Sequence, residues 1–269
     1  MVIDLHTHIF PDKIAEATIS ALSKNANIMA HANGTKNGLI ESMRSSGVDI
    51  SINLPAMTKA SQLGSINTFA KCLNEENHTL PRIISFAGFH PDIENYKEEL
   101  YKIKENGFLG IKLHPDYQGT FFDDERYISI LKCAKELDLI TVTHAGLDGA
   151  FVGQEIKCTP SRVLRVLDKI GGYSKLVLAH LGGNELFDEV YKELAGCDVY
   201  FDTSYVLINT KKEDFLKMIE KHTADKILFA TDSPWQSQGQ MIDKLKSYEL
   251  PKEIEDKILY KNATKLLNI

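Results

Sequence analysis

Eight short apolar runs, rich in β-branched residues, recur along this chain, with longer stretches of helical spacing or polar connection between them. They are VIDLHTH (2–8), DISINLPA (49–56), RIISFAGFHP (82–91), FLGIKLHP (108–115), ITVTHAG (140–146), KLVLAHLGG (175–183), DVYFDTSY (198–205) and KILFATDSPW (226–235). Strands spaced this way pair most readily in parallel, because a parallel partner needs a crossover, usually a helix. Eight strand–helix units in 269 residues are the pattern of a (β/α)8 TIM barrel, an α/β fold spanning 1–269 as a single domain. A doubly wound open sheet is the structural alternative, and the residues that end the strands decide for the barrel.

Candidate helices lie between the runs. IESMRSSG (40–47) keeps its apolar positions on one face and stops at glycine, as does IENYKEELYKIKENG (93–107). ERYISILKCAKELD (125–138) and SRVLRVLDKIGG (161–172) have helical spacing, the second after a Thr159-Pro160-Ser161 cap signal. A helical tail, 253–269, closes the chain. The polar segment 23–38 reads as a loop inserted in the first strand-to-helix connection.

The totals exclude more than they assign. Hydrophobic residues make up 43% of the chain, enough for one large core. The net charge is −6 and no basic run exists, which argues against a nucleic-acid partner. No apolar stretch has the length of a bilayer span and no charged-then-apolar leader opens the chain, so no membrane partner and a cytoplasmic location are expected. Cys72, Cys133, Cys158 and Cys197 form no CxxC pair and read as reduced thiols.

In a barrel of this kind, chemistry is done at the C-terminal ends of the strands. Those ends carry His6 and His8, His90, Lys112 and His114, His144, His180 and Asp232, so six of the nine histidines lie there. Core packing does not distribute histidines in that way. His6 and His8, two apart on a strand, share a face and can reach one ion. Alone they fit equally well as hydrogen-bonded histidines in a polar barrel mouth. With His144 and Asp232 at the same height on other strands, a metal site made of His6, His8, His144 and Asp232 is the stronger reading. Nitrogen and carboxylate ligands without thiolates suit zinc foremost, and also manganese or iron. Such an ion would lower the pKa of a bound water.

This set of motifs resembles the amidohydrolase superfamily: DxHxH on the first strand, a lysine on the fourth, histidines on the fifth and sixth, and TDSPW on the eighth. The local forms GIKLHP, VTHAG and LAHLGG are most similar to its amidohydrolase-related branch, and the resemblance covers the chain from Asp4 to NATKLL. It implies His6, His8, His144 and Asp232 as ligands, with Asp232 also taking the proton of an attacking water. His180 would face that water or, in a two-ion site, bind the second ion together with Lys112 as a carbamylated bridge. One ion is favoured and two remain open. The other reading of Lys112 is a substrate contact or an ion pair with an acid such as Asp4.

The remaining candidates are secondary. His114, Trp235 and Tyr205 are placed to contact substrate. Glu155 reads as a solvated loop acid, Arg44 as a helix-surface residue and Asp202 as a barrel-interior hydrogen-bonding group. The resulting expectation is a metal-dependent hydrolase acting on an amide, lactone or ester of a small carboxylated molecule. The alternative is a non-oxidative decarboxylase or hydratase with the same metal shell. A TatD-like nuclease ranks third, because the fourth strand reads GIKLHP where those enzymes have a GExGLD-like strand. A barrel that keeps metal only for stability ranks fourth, since structural zinc sites are closed and local in sequence. A homodimer is expected only as a habit of such barrels.

Overall fold

A computed structural model describes residues 1–76 and 79–269. Among the described residues nine parallel strands form the barrel wall: β1 (Ile3–Thr7), β2 (Ile50–Asn53), β3 (Arg82–Ser85), β4 (Ala87–Gly88), β5 (Gly110–Leu113), β6 (Ile140–Thr143), β7 (Leu176–Leu178), β8 (Tyr200–Asp202) and β9 (Ile227–Leu228). They fall into two sheets, ordered β1-β2-β3 and β4-β5-β6-β7-β8-β9. Only Phe86 separates β3 from β4, and its N–H donates to the Asn53 carbonyl at 3.0 Å, so the two are halves of one barrel strand. At the other seam Leu5 N–H reaches the Phe229 carbonyl (3.0 Å) and Asp232 N–H reaches the His6 carbonyl (2.8 Å). Separate hydrogen bonds and an isolated parallel bridge between Thr7 and Ser233, not a continuous ladder, therefore join the segment after β9 to β1. The chain is a (β/α)8 barrel with strands shorter than the apolar runs that announce them.

The helices form the outer ring: α1 (Asp12–Ala26), α2 (Lys36–Ser46), α3 (Leu63–Glu76), α4 (Tyr96–Glu105), α5 (Glu125–Glu136), α6 (Pro160–Ile170), the short α7 (Phe187–Glu189), α8 (Lys212–His222), α9 (Gln238–Lys246), α10 (Lys252–Asp256) and α11 (Asn262–Leu267). Local chemistry explains their ends. Thr35 caps α2 by accepting from Gly38 N–H, and Gly47, at φ 72°, ends it. Asp124 caps α5, whose buried face is Tyr127, Ile128, Leu131 and Ala134, at helical spacing. Thr159 precedes α6 but accepts no capping bond; its hydroxyl pairs with that of Ser161, and Pro160 at the first helical position sets the start.

Two features differ from the sequence reading. The segment 23–38 is not one loop inserted after the first strand. It comprises the end of α1, a short connection and the start of α2. Helix α1 was not legible because it buries only Ala15, leaving little apolar stripe against the barrel. The second difference lies in β1, whose register against β2 shifts between Asp4 and Thr7. Strict alternation would put Asp4 and His6 on one face. Instead Asp4 bonds to Gln238 on α9 while His6 faces Lys112 across the barrel.

The barrel interior is packed by Ile3, Leu5, Ile52, Phe86, Val142 and Leu228, among others, and Ala263, Leu266 and Leu267 of α11 close its lower end. Gly110 sits where no side chain fits: a Cβ there would stand 2.3 Å from the Ile140 carbonyl and 2.6 Å from the Phe86 ring. Gly110→Ala is expected to destabilise the fold by about 2–3 kcal/mol, the cost of overpacking a filled core. A urea titration of the two proteins checks this; an unchanged midpoint would contradict it.

His222 makes folding pH-dependent. It is buried, stacks on Phe201 at 3.7 Å and accepts from Gly196 N–H at 3.1 Å. Burial holds its pKa down at about 4, against an ordinary 6.5. The unfolded chain therefore takes a proton that the folded chain refuses, and stability falls as pH drops from 6.5 towards 4, by at most about 1.4 kcal/mol per pH unit. Replacing His222 by Gln should flatten the slope of unfolding free energy against pH in that window by about one proton.

Candidate metal centre

The strand ends are held by hydrogen bonds that dictate which ring nitrogens carry protons. Nδ1 of His6 lies 2.9 Å from Oδ2 of Asp202, and Nδ1 of His8 lies 2.7 Å from the Leu54 carbonyl. A carboxylate and a carbonyl can only accept, so both Nδ1 atoms carry the hydrogen and both Nε2 atoms are bare. Those bare nitrogens are 3.2 Å apart. Oδ1 of Asp232, a third acceptor, lies 3.0 Å from the His8 Nε2 and 3.5 Å from the His6 Nε2. Three lone-pair donors thus converge with no hydrogen of their own between them. The nearest donor is the ammonium of Lys112, 3.0 Å from His6 Nε2. Such a convergence suits a bound cation, and the three residues offer ligand atoms within 4.8 Å of one another.

The electrostatics suit ligands. Burial, then Lys112, holds the His6 pKa down at about 3, which keeps its ring neutral. Burial pushes the Asp232 carboxyl up, but His6 and His8 outweigh it and hold it at about 2. Burial lowers Lys112 to about 8, with Asp202 and Asp232 opposing. Asp4 is not its partner: that carboxylate accepts from Gln238, from Thr231 and from the backbone of His6.

Asp202 is the fulcrum of the arrangement. Besides the His6 ring it accepts from the backbone N–H of His180 (3.0 Å) and from the N–H and hydroxyl of Ser204. It thereby ties the end of β1 to the residues that follow β7 and β8. Nδ1 of His180 faces the Ser204 carbonyl at 3.0 Å and so carries the hydrogen, leaving its Nε2 to accept from Nδ1 of His144 at 3.0 Å. The structure therefore brings His6, His8 and Asp232 together, with Lys112 beside them. It places His144 in a second group with His114 and Asp148. His180 lies between the two, with both ring nitrogens engaged.

The centre forms the floor of a cavity of about 460 Å³. Its walls include Phe10, Ile14, Ile66, Phe69, Leu147 and Trp235, and Tyr205 and His114 also line it. Lys112 is the only lysine or arginine lining the cavity among the described residues. His114 contacts Asp148, with Nε2 3.4 Å from Oδ2. Glu155 is exposed and pairs with Arg162; Arg44 lies in α2. The four cysteines are unpaired. The reading of strand ends missed Asp116 and Asp148, which stand two and four residues beyond the strand-end histidines His114 and His144. Extending the search into the loops would have found both.

A family model described as Amidohydrolase matches residues 3–269. No curated protein matches the chain by sequence. Solved structures share its fold over nearly the whole length at low identity. A 5-carboxyvanillate decarboxylase from Novosphingobium aromaticivorans, solved with manganese and 4-hydroxy-3-methoxy-5-nitrobenzoic acid, is 16% identical with a TM-score of 0.78, covering 100% of this chain and 96% of that one. A 2,6-dihydroxybenzoate decarboxylase from Rhizobium is 17% identical with a TM-score of 0.73, covering 99% and 98%. An uncharacterised TIM-barrel protein from Bordetella bronchiseptica is 16% identical with a TM-score of 0.75, covering 99% and 98%.

Proposed function

The chain belongs to the amidohydrolase family, and we propose that it acts as a metal-dependent decarboxylase on a small, largely apolar carboxylic acid. The observation that carries this reading is the convergence of three bare acceptors at the floor of an apolar cavity with a single lysine. The cavity's size suits a molecule of one or two rings. Similarity to decarboxylases supports the choice of reaction over the hydrolysis that the motifs first suggested.

The donor set fits a divalent ion: two neutral imidazoles and one carboxylate, without thiolate, suit manganese, iron or zinc. When bound by His6, His8 and Asp232, the ion would supply Lewis-acid chemistry, drawing charge from a substrate oxygen. Lys112 pairs with the substrate's anionic oxygen, as the one lysine or arginine lining the cavity among the described residues. The apolar walls strip water from the carboxylate and favour its departure as neutral CO₂. The C–C bond breaks, CO₂ leaves, and a proton takes its place on carbon. Asp232, between the ligand group and the cavity, is ionised at rest and is the carboxylate placed to take a proton from water or an acidic substrate hydroxyl and pass it to that carbon.

The test is a panel of hydroxylated aromatic and unsaturated acids, incubated with the manganese-loaded protein and read for CO₂ release. A decarboxylated product supports the proposal. Hydrolysis of amides or lactones in a parallel panel, with no CO₂ from any acid, would overturn it. Lys112 gives that second reading a specific basis: an amine lowered to about 8 beside the centre is open to carbamylation by CO₂. A second ion lost in Lys112→Ala would favour hydrolysis.

A further inference from the structure

The barrel mouth holds a second cavity, of about 500 Å³, beside the one over the metal centre. It opens between the segment that follows β7 and the segment that follows β8. Among the described residues, Asn184 and Tyr205 alone line both cavities. Asn184 is fixed in place: its side-chain amide donates to the Leu147 carbonyl at 2.7 Å, and its N–H to the Ala145 carbonyl at 3.0 Å. Tyr205 is half-buried, and its ring stands edge-on to that of His180 with centroids 6.3 Å apart. The junction between the cavities is therefore bounded on one side by a tethered amide and on the other by the tyrosine ring.

The backbone beneath that ring is strained. At Tyr205 φ is 61° and ψ −52°, and the Val206 N–H donates to the Ser204 carbonyl, two residues back, at 2.6 Å. This is the γ-turn with positive φ, which is rare and strained for a residue with a side chain. Glycine adopts positive φ readily. The turn is held from outside: the Tyr205 N–H donates to the Thr231 carbonyl at 3.2 Å, and the preceding Ser204 is fixed by Asp202. A position that glycine would occupy with less strain thus carries a large aromatic ring, and the ring stands where two cavities meet. Strain of this kind persists where the placement of the side chain is itself needed.

We infer that, in a cavity that takes an acid as proposed above, Tyr205 is the partition that sets the size of the acid accepted; this role rests on that reading of the cavity and not on which bond is broken. With the ring in place, the space over the centre holds a molecule of one or two rings. Without it, the two cavities run together and the space open to a ligand about doubles. Tyr205 acts here through the bulk of its ring, so phenylalanine serves equally and glycine does not.

The test is isothermal titration calorimetry on the manganese-loaded full chain, which reads binding without turnover when the probe cannot lose CO₂. The compact probe is 2-nitrophenol, and the extended probes carry in addition a biphenylmethoxy group on carbon 4 or carbon 5. Wild type should bind the extended probes about tenfold or more weakly than the compact one. Tyr205→Gly should bring at least one extended probe to within about twofold of the compact one, and Tyr205→Phe should keep the wild-type gap. A gap undiminished in Tyr205→Gly, no gap in wild type, or a gap lost equally in Tyr205→Phe would each overturn the partition. Circular dichroism checks folding. Should the glycine variant not fold, Tyr205→Asn, which also tolerates positive φ, carries the same comparison; failure of both to fold would assign Tyr205 to the fold and overturn the proposal. Titration with 2-hydroxybenzoate checks the acid-binding reading separately. A gap among the nitro probes with no binding of 2-hydroxybenzoate would support the partition and overturn that reading. No binding of any probe to wild type would overturn both.

Discussion

Asp232→Asn is expected to lower kcat/KM by about 10³-fold or more, the largest effect of any single conservative change in this molecule. The substitution keeps the size and shape of the side chain but removes its charge. Asp232 faces both bare histidine nitrogens, at 3.0 and 3.5 Å, and it is the group placed to move the proton. An amide offers a weaker ligand oxygen and no acid. The fold holds the Asp232 carboxyl at about 2, below its ordinary 3.8, so the charge is favoured in the folded chain; the fold should survive its loss, with metal-free stability somewhat lower at neutral pH. Steady-state kinetics on the product-forming acid, with a melting curve alongside, checks both halves. An Asp232→Asn protein within about tenfold of wild type would remove Asp232 from the chemistry.

Asp202→Ala should have the second-largest effect, and mostly on folding. Asp202 is fully buried and accepts from His6, His180 and Ser204 at once. Burial works against its charge, but His6 leads the groups that hold it well below the usual carboxylate range. Removing it leaves two buried N–H groups and a histidine unsatisfied, at a cost of about 3–5 kcal/mol. Asp202→Asn separates the two roles. It fills the same space, but its amide can present a hydrogen to Nδ1 of His6, which favours the wrong tautomer. Metal affinity should then fall about 10–100-fold while much of the stability returns. An Asn variant with wild-type metal affinity would show that Asp202 serves packing alone.

How much of this was legible beforehand depended on what a side-chain alphabet can express. The alternation of apolar runs and helical spacing was enough for the barrel. The HxH spacing and the aspartate after ILFAT pointed to His6, His8 and Asp232, which the fold brings within reach of one another, because those relations are local to strands. The register shift in β1 was not visible, since DLH reads as regular alternation, and it separates Asp4 from Lys112, for which an ion pair with Asp4 was one of the alternative readings. Helix α1 lacked the buried stripe that marks a helix in sequence. The proton arrangement was beyond reach for a different reason. It is set by the carbonyls of Leu54 and Ser204, which any residue type could supply. His144 was found as a strand-end histidine, but its grouping with His114 and Asp148 depends on that arrangement and on loops.

The central claim is that His6, His8 and Asp232 hold a divalent ion at the cavity floor. The most direct test is metal content per chain, by elemental analysis, of protein purified without chelator from cells supplied with manganese and zinc. Wild type is expected to carry at least one tightly held ion, and a His6→Ala/His8→Ala variant, still folded by circular dichroism, one fewer. Equal metal in the two proteins, or none in wild type, would contradict the account.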